Sequence, residues 1–314
     1  MSNTSAITDT PLGSYEWIEN WITVPRSPIG DENGRTHGVV VTKDGHVVIF
    51  HQASPAVLFY SPDGELVKSW GDYPGAHGIH IGEEGGDEYL WLVDEHLAVA
   101  HKANLDGDVL LSIKPELTHP AYSEKKYIPT WADQARAESG GNGDIWLVDG
   151  YGASVAHRFN SDGVYIGCID GSDGARRFKC PHGCWIDYSK GEPELYIADR
   201  GNARVQVFDI EGKFKRCFGE DFMTSPDGFS AQGDITIIPE LKARITLCDK
   251  DDQLICHIGE NDAICAKPAW PQINPRIRIP GKCISPHGAV MDASGNIYLA
   301  EWIIGGRVSK LRKI

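Results

Sequence analysis

The dipeptide His-Gly recurs at His77, His182 and His287, with identical gaps of 105 residues between successive copies. Each copy opens an alternating apolar run that reads as a β-strand: HGIHI, HGCWIDY and HGAVMD. This spacing constrains the fold strongly, because only a chain built of repeats sets one residue type at equivalent places at such intervals. In a closed ring of repeats, three such residues face a common axis.

The repeat extends along the chain. Six segments stack, beginning at Thr36, Ala76, Pro129, Pro181, Pro226 and Pro286. Most run through two strands into a third, a DG, EG or NG-type turn and a fourth, as in AVLFYSPDGELVKSW and RVQVFDIEGKFKRCF. Four short antiparallel strands in units of roughly 40–60 residues are the mark of a propeller blade. No segment holds a period of 3.6 beyond a turn or two, so helices are not expected. The sixth unit ends at Ile314 after three strands, and YEWIENWITV ahead of the first unit is left over. The expectation is an all-β, six-bladed β-propeller over residues 1–314 as a single domain. The N-terminal strand completes the last blade and closes the ring without free edges, and residues 1–13 form a flexible lead.

Acidic residues outnumber basic ones by 44 to 30, a net charge of −14 that argues against nucleic acid or an anionic membrane as partner. The N-terminus has no basic start followed by an apolar run, and no apolar stretch approaches about 18 residues, so neither a signal peptide nor a membrane span is expected. The eight cysteines all follow residue 167 and lack the paired spacing of a zinc knuckle, which suits reduced thiols in the cytoplasm.

His77, His182 and His287 start the first strands of blades two, four and six, a third of a turn apart. Three neutral imidazoles with an open fourth position make a catalytic zinc site, or a site for another divalent ion. A Pro-His-Gly tripeptide can also recur for backbone reasons alone, but equal spacing on alternate blades favours the metal. His37, Thr130 and Asp227 hold the same place in the other three blades and are expected to contact substrate. The ends of the second strands lie on the same face and read Gln52, Glu95, Tyr151, Arg200, Glu240 and Trp302. Tyr151 and Arg200 are the catalytic candidates. A phenol beside a cation and a metal has its pKa lowered and serves as general base, and a guanidinium holds a carboxylate or an oxyanion. Gln52, Glu95 and Trp302 complete the expected substrate contacts.

From about Thr36 to Leu311 the sequence resembles the NHL-repeat propellers, and among them the peptidyl-α-hydroxyglycine α-amidating lyases. HG at His77, PHG at His182 and His287, LVDGYGAS around Tyr151 and LYIADRGNARVQVF around Arg200 carry the resemblance. It implies zinc on the three histidines, a catalytic Tyr151, an active-site Arg200, and cleavage of the N–C bond of an α-hydroxyglycine to an amide and glyoxylate. Three positions depart from that family. Gln52 stands where it has an arginine that grips the substrate carboxylate. Gly288 replaces an aspartate that helps hold a structural calcium, and Gly152 replaces a disulfide cysteine. The departures point away from peptide amidation and toward related lyase chemistry on another small hydroxylated substrate. A metal-dependent hydrolase of lactones, epoxides or esters is the first alternative, and a non-catalytic NHL module that binds a protein or peptide is the second. The Pro-rich segments KPELTHPAYSEKKYI and AKPAWPQINPRIRIPGKCIS, ahead of blades three and six, are expected to cover the site.

Overall fold

Short alternating runs separated by turn glycines give, in the computed structural model, six antiparallel sheets, five of them built of strands that follow one another in sequence. The structure describes residues 6–26, 35–271 and 279–314. The protein is an all-β, six-bladed β-propeller. Blade two is representative, with strands Ala76–Glu84, Asp87–Asp94, Val99–Asn104 and Val109–Ile113. No helix among the described residues is long and apolar enough to cross a membrane.

Two compact units make up the chain. One contains blades two, three and four. Its apolar side chains are buried between blades: Trp91, Val93, Ile145 and Phe159 in one cluster, Trp146, Ile186, Leu195 and Phe208 in the next. The other unit contains blades five, six and one, with Ile245, Leu247, Ile297 and Leu299 in one cluster and Ile49, Leu58, Tyr298 and Val308 in another. In the C-terminal blade, Gly13–Ile18 pairs antiparallel with Arg307–Lys313, setting Trp17 opposite Leu311. The N-terminal segment thus supplies the fourth strand that the sixth repeat lacks. Ile7–Thr10, inside the expected flexible lead, pairs onto it as a fifth strand.

Two devices recur. The first is a one-residue bulge where the His-Gly pair opens the first strand. The pairing of Ala76 with Asp94 jumps to Ile79 with Leu92, and that of Pro181 with Asp199 jumps to Cys184 with Ile197. The same slip falls at His287 and at His37. A bulge leaves its extra residue out of the ladder and re-aims its side chain. Blade three, with Thr130 in place of histidine, keeps a regular ladder.

The second device is a fully buried acid at the end of the second strand: Asp94, Asp149, Asp199, Glu240 and Glu301. Four of these carboxylates accept main-chain N–H groups from the loop that enters their own blade. Asp94 accepts from Gly75, Asp149 from Ile128, Asp199 from Lys179 and Glu301 from Ile284. A buried charge is tolerated when it is hydrogen-bonded in this way. Blade one has His51 at the corresponding position, almost fully buried.

Burial keeps His51 neutral, pushing its pKa down to about 4 against a hydrogen bond to Arg35. Burial likewise brings His157 in blade three, which bonds the Tyr122 hydroxyl at 2.7 Å, down to about 3. The unfolded chain takes up these protons near pH 6.5. The contribution of each to stability is therefore complete above that pH and lost as pH falls through the folded value. For His51 the full loss is about 3 kcal/mol. Denaturant midpoints measured from pH 7 to 4 should fall steadily, and His51→Gln should flatten the slope by close to one proton. An unchanged slope would refute the assignment.

Candidate metal and catalytic site

In the unit of blades two to four, the re-aimed histidines are held at both ring nitrogens. His77 Nδ1 lies 2.8 Å from the carbonyl oxygen of Thr130, and His182 Nδ1 lies 2.8 Å from that of Asp227. A carbonyl only accepts, so Nδ1 carries the proton and Nε2 keeps its lone pair. Both Nε2 atoms meet the Tyr151 hydroxyl, at 3.1 Å from His77 and 3.0 Å from His182. The two rings stand 4.7 Å apart between centroids. His77 is neutral, its pKa brought down to about 3 by burial and, to a lesser degree, by the charge of Arg200.

The glycine after each histidine explains the carbonyl contact. A Cβ at Gly78 or Gly183 would lie within 3.0 Å of the same oxygens of Thr130 and Asp227 that receive the imidazole protons. Only glycine lets the neighbouring strand come close enough. The other unit repeats this arrangement. His287 Nδ1 lies 3.1 Å from the carbonyl of His37, and a Cβ at Gly288 would stand 2.8 Å from it. His37 and His287 sit edge to face at 4.4 Å.

Tyr151 lies between two glycines for a similar reason. A Cβ at Gly150 would strike the Pro181 carbonyl, and one at Gly152 the Lys126 carbonyl. Asp149 fixes the turn through the N–H of Ala153. The segment ahead of blade three is anchored to the same carboxylate by Tyr122, at 2.6 Å. Of the segment ahead of blade six, residues 272–278 lie outside the described residues. Tyr151 is 38% exposed, yet its hydroxyl end is turned inward to the imidazoles. Burial raises its pKa; Arg200 opposes that, and Asp227 and Glu95 add to it. The expected lowering is thus reversed for the protein groups alone, and the phenol is protonated at neutral pH.

Arg200 is set over the Tyr151 ring at 5.3 Å, with Nη1 2.8 Å from Asp227 Oδ1 and Nη2 3.1 Å from Cys180 Sγ. Its neighbour Asp199 is held instead by Arg204, at 2.8 Å. The hydroxyl of Thr130 donates to the His182 carbonyl at 2.7 Å, so this residue supports the histidines through both its oxygens. Glu95 is half-buried at the end of its strand, its main chain bonded to Gly75. Glu240 belongs with the framework acids, since it accepts from Arg244 at 2.8 Å. Measured from those acids, Arg200 and Trp302 come one residue later but Tyr151 two. The loop of blade three is out of step with the others.

Arg35 is a guanidinium that the sequence did not single out. It is buried and stacked on Trp302, 4.3 Å from the ring centroid, while Trp302 lies 6.4 Å from His37. Gln52, also buried, donates its main-chain N–H to the Arg35 carbonyl. The signal available was position, two residues ahead of a histidine that is itself followed by glycine. His37, which the sequence assigned to substrate, stands beside His287 as a second buried histidine of its unit.

No family model matches the chain. It is 28% identical over 194 residues to human NHL repeat-containing protein 3, and 27% identical over 203 residues to the mouse protein of that name. These matches cover 55% and 60% of this chain and 53% and 56% of the relatives, so the chain spans about half the length of the curated relatives it matches. With the six blades, they support an NHL-type propeller. Among solved structures, a streptogramin B lyase superposes with a TM-score of 0.62 at 14% identity, covering 96% of this chain and 98% of its own. A gluconolactonase from Xanthomonas campestris gives 0.62 at 15%, covering 99% and 96%. At that identity the likeness is one of fold.

The glycine argument is testable without a substrate. Gly183→Ala should cost about 1–3 kcal/mol in thermal or denaturant unfolding as the strands are pushed apart. Wild-type stability in Gly183→Ala would show that the close approach to the Asp227 carbonyl does not matter.

Proposed function

We propose that the protein is a metal-dependent enzyme of the lyase type, acting on a small hydroxylated substrate where the histidines open the blades. One observation carries this reading. The imidazoles of His77 and His182 have Nδ1 fixed to carbonyls and both Nε2 lone pairs aimed at a single phenol hydroxyl. A phenol has one proton and can satisfy only one of the two nitrogens at a time, so the donor set suits a cation. His77, His182 and His287, with His37 as a further imidazole, would hold it, and zinc fits neutral imidazole donors. A divalent ion bound there would act as a Lewis acid that lowers the pKa of a substrate hydroxyl or a water.

The side chains supply the rest. Tyr151 enters as a proton donor. For a hemiaminal-like alcohol, the C–N bonding pair leaves with nitrogen, which takes the phenol proton, and the hydroxyl proton returns to the phenol as the carbonyl forms. Arg200 is oriented by Asp227 and by the Tyr151 ring, and Arg35 by Trp302. Both offer in-plane N–H groups to an oxyanion. A reducing, cytoplasmic setting is part of the proposal, and the eight free cysteines are compatible with it. A hydrolase of lactones or esters is the second reading, favoured by the gluconolactonase among the structures of the same fold.

Protein purified without chelators should contain about one zinc per chain, and His182→Ala should lose it. Tyr151→Phe should keep the metal while turnover falls by about 10²–10⁴-fold. A folded, metal-free wild type would sink the proposal. Products from α-hydroxyglycines, lactones and epoxides in oxygen-18 water decide the reaction class when read at oxygens that do not exchange: one solvent oxygen in a hydroxy acid or diol selects the hydrolase, and none in the released amide keeps the lyase.

A further inference from the structure

We infer that Asp227 is a positioning residue that couples the cation Arg200 to the histidine His182. Its place in the repeat suggests a substrate contact, but the side chain is fully buried and committed to protein groups. Its Oδ1 receives Arg200 Nη1 at 2.8 Å and lies 3.5 Å from His182 Nδ1, while its carbonyl oxygen is the 2.8 Å partner of that same Nδ1. From Arg200 the contacts continue to the Tyr151 ring at 5.3 Å, and from the Tyr151 hydroxyl to His182 Nε2 at 3.0 Å. The path closes on itself, running from Asp227 to Arg200, Tyr151, His182 and back to Asp227.

Closure has a physical consequence. The carboxylate offsets the guanidinium charge next to a site meant for a cation, and it holds the guanidinium plane against the phenol ring. Without it, Arg200 would lose its carboxylate partner beside the histidines and keep only the Cys180 sulfur and the Tyr151 ring as contacts. Whatever alters the position of Arg200, such as an anionic substrate group, is then felt at His182, and occupancy at His182 is felt at Arg200. Thermodynamic linkage makes this reciprocal.

The inference rests on the metal reading for only one of its two tests. The first is independent of metal. Arginine labelling with phenylglyoxal, read by peptide mass spectrometry, should proceed several-fold faster at Arg200 in Asp227→Asn than in the wild type. Arg204, bonded to Asp199, serves as the internal control and should be unchanged. Equal labelling of Arg200 in the two proteins would overturn the inference. The second is a double-mutant cycle with zinc affinity as readout, measured by competition with a chromophoric chelator. Asp227→Asn should weaken zinc about 10–100-fold in the wild-type background and markedly less in Arg200→Met. Equal costs in both backgrounds would mean that Asp227 acts only as a structural prop, and would also overturn it. Should the wild type take up no zinc, the proposed function fails while the labelling test still decides the role of Asp227. If Asp227→Asn does not fold, Asp227→Ser carries the same comparisons.

Discussion

The hydrogen bond from a histidine Nδ1 to the carbonyl of the next blade's first strand is the contact on which the site depends. It occurs from His77 to Thr130, from His182 to Asp227 and from His287 to His37. In each case the following glycine leaves room for that carbonyl. One contact therefore does three things. It packs neighbouring blades, it fixes the tautomer, and it turns Nε2 away from the sheet. A lone histidine at the same place would have neither the room nor the orientation, which is why the recurring unit is His-Gly.

The periodicity that made the fold legible is of this same origin. Strand count, blade boundaries and the N-terminal strand in the last blade follow from alternation and turn chemistry, and local sequence carries both. The candidate site can be read from the sequence where its residues share the register of the repeat, as His77, His182, His287 and Arg200 do. Tyr151 and Glu240 were read in one register with Arg200, but the acids Asp149, Asp199 and Glu240 define the true alignment, and loop length shifts Tyr151 by one. Arg35 lies in the connection ahead of a strand, where no period operates. The sign of the Tyr151 pKa shift was also beyond reach. Whether burial or Arg200 wins depends on how deep the hydroxyl sits, and spacing in sequence does not encode depth.

The framework acids connect stability to the site. Asp94, Asp149, Asp199 and Glu301 each close the loop that enters their blade, and the residues that follow them lie at the end where the histidines open the strands. In blade four that neighbour is Arg200 and in blade six Trp302. Asp149 serves Tyr151 in the same way, also gripping the N–H of Ala153. Positioning of functional groups is thus a by-product of satisfying buried main-chain donors. Blade one, where neutral His51 replaces the acid, is the exception, and it is also the blade that brings Arg35 and Gln52 together.

That exception bears on the chemistry. At Gly288 an added Cβ would meet the His37 carbonyl at 2.8 Å and the Gly38 Cα at 2.9 Å, so an aspartate has no room in this packing. Gly152 is equally closed to a cysteine by the Lys126 carbonyl. These glycines are demanded by neighbouring main chain, and replacing one residue would not restore the missing feature. Gln52 differs in kind, because its main-chain N–H reaches the carbonyl of Arg35, a guanidinium in the preceding connection that is braced by Trp302. Connections of this kind are where residues change most readily on a scaffold whose strands are held by packing.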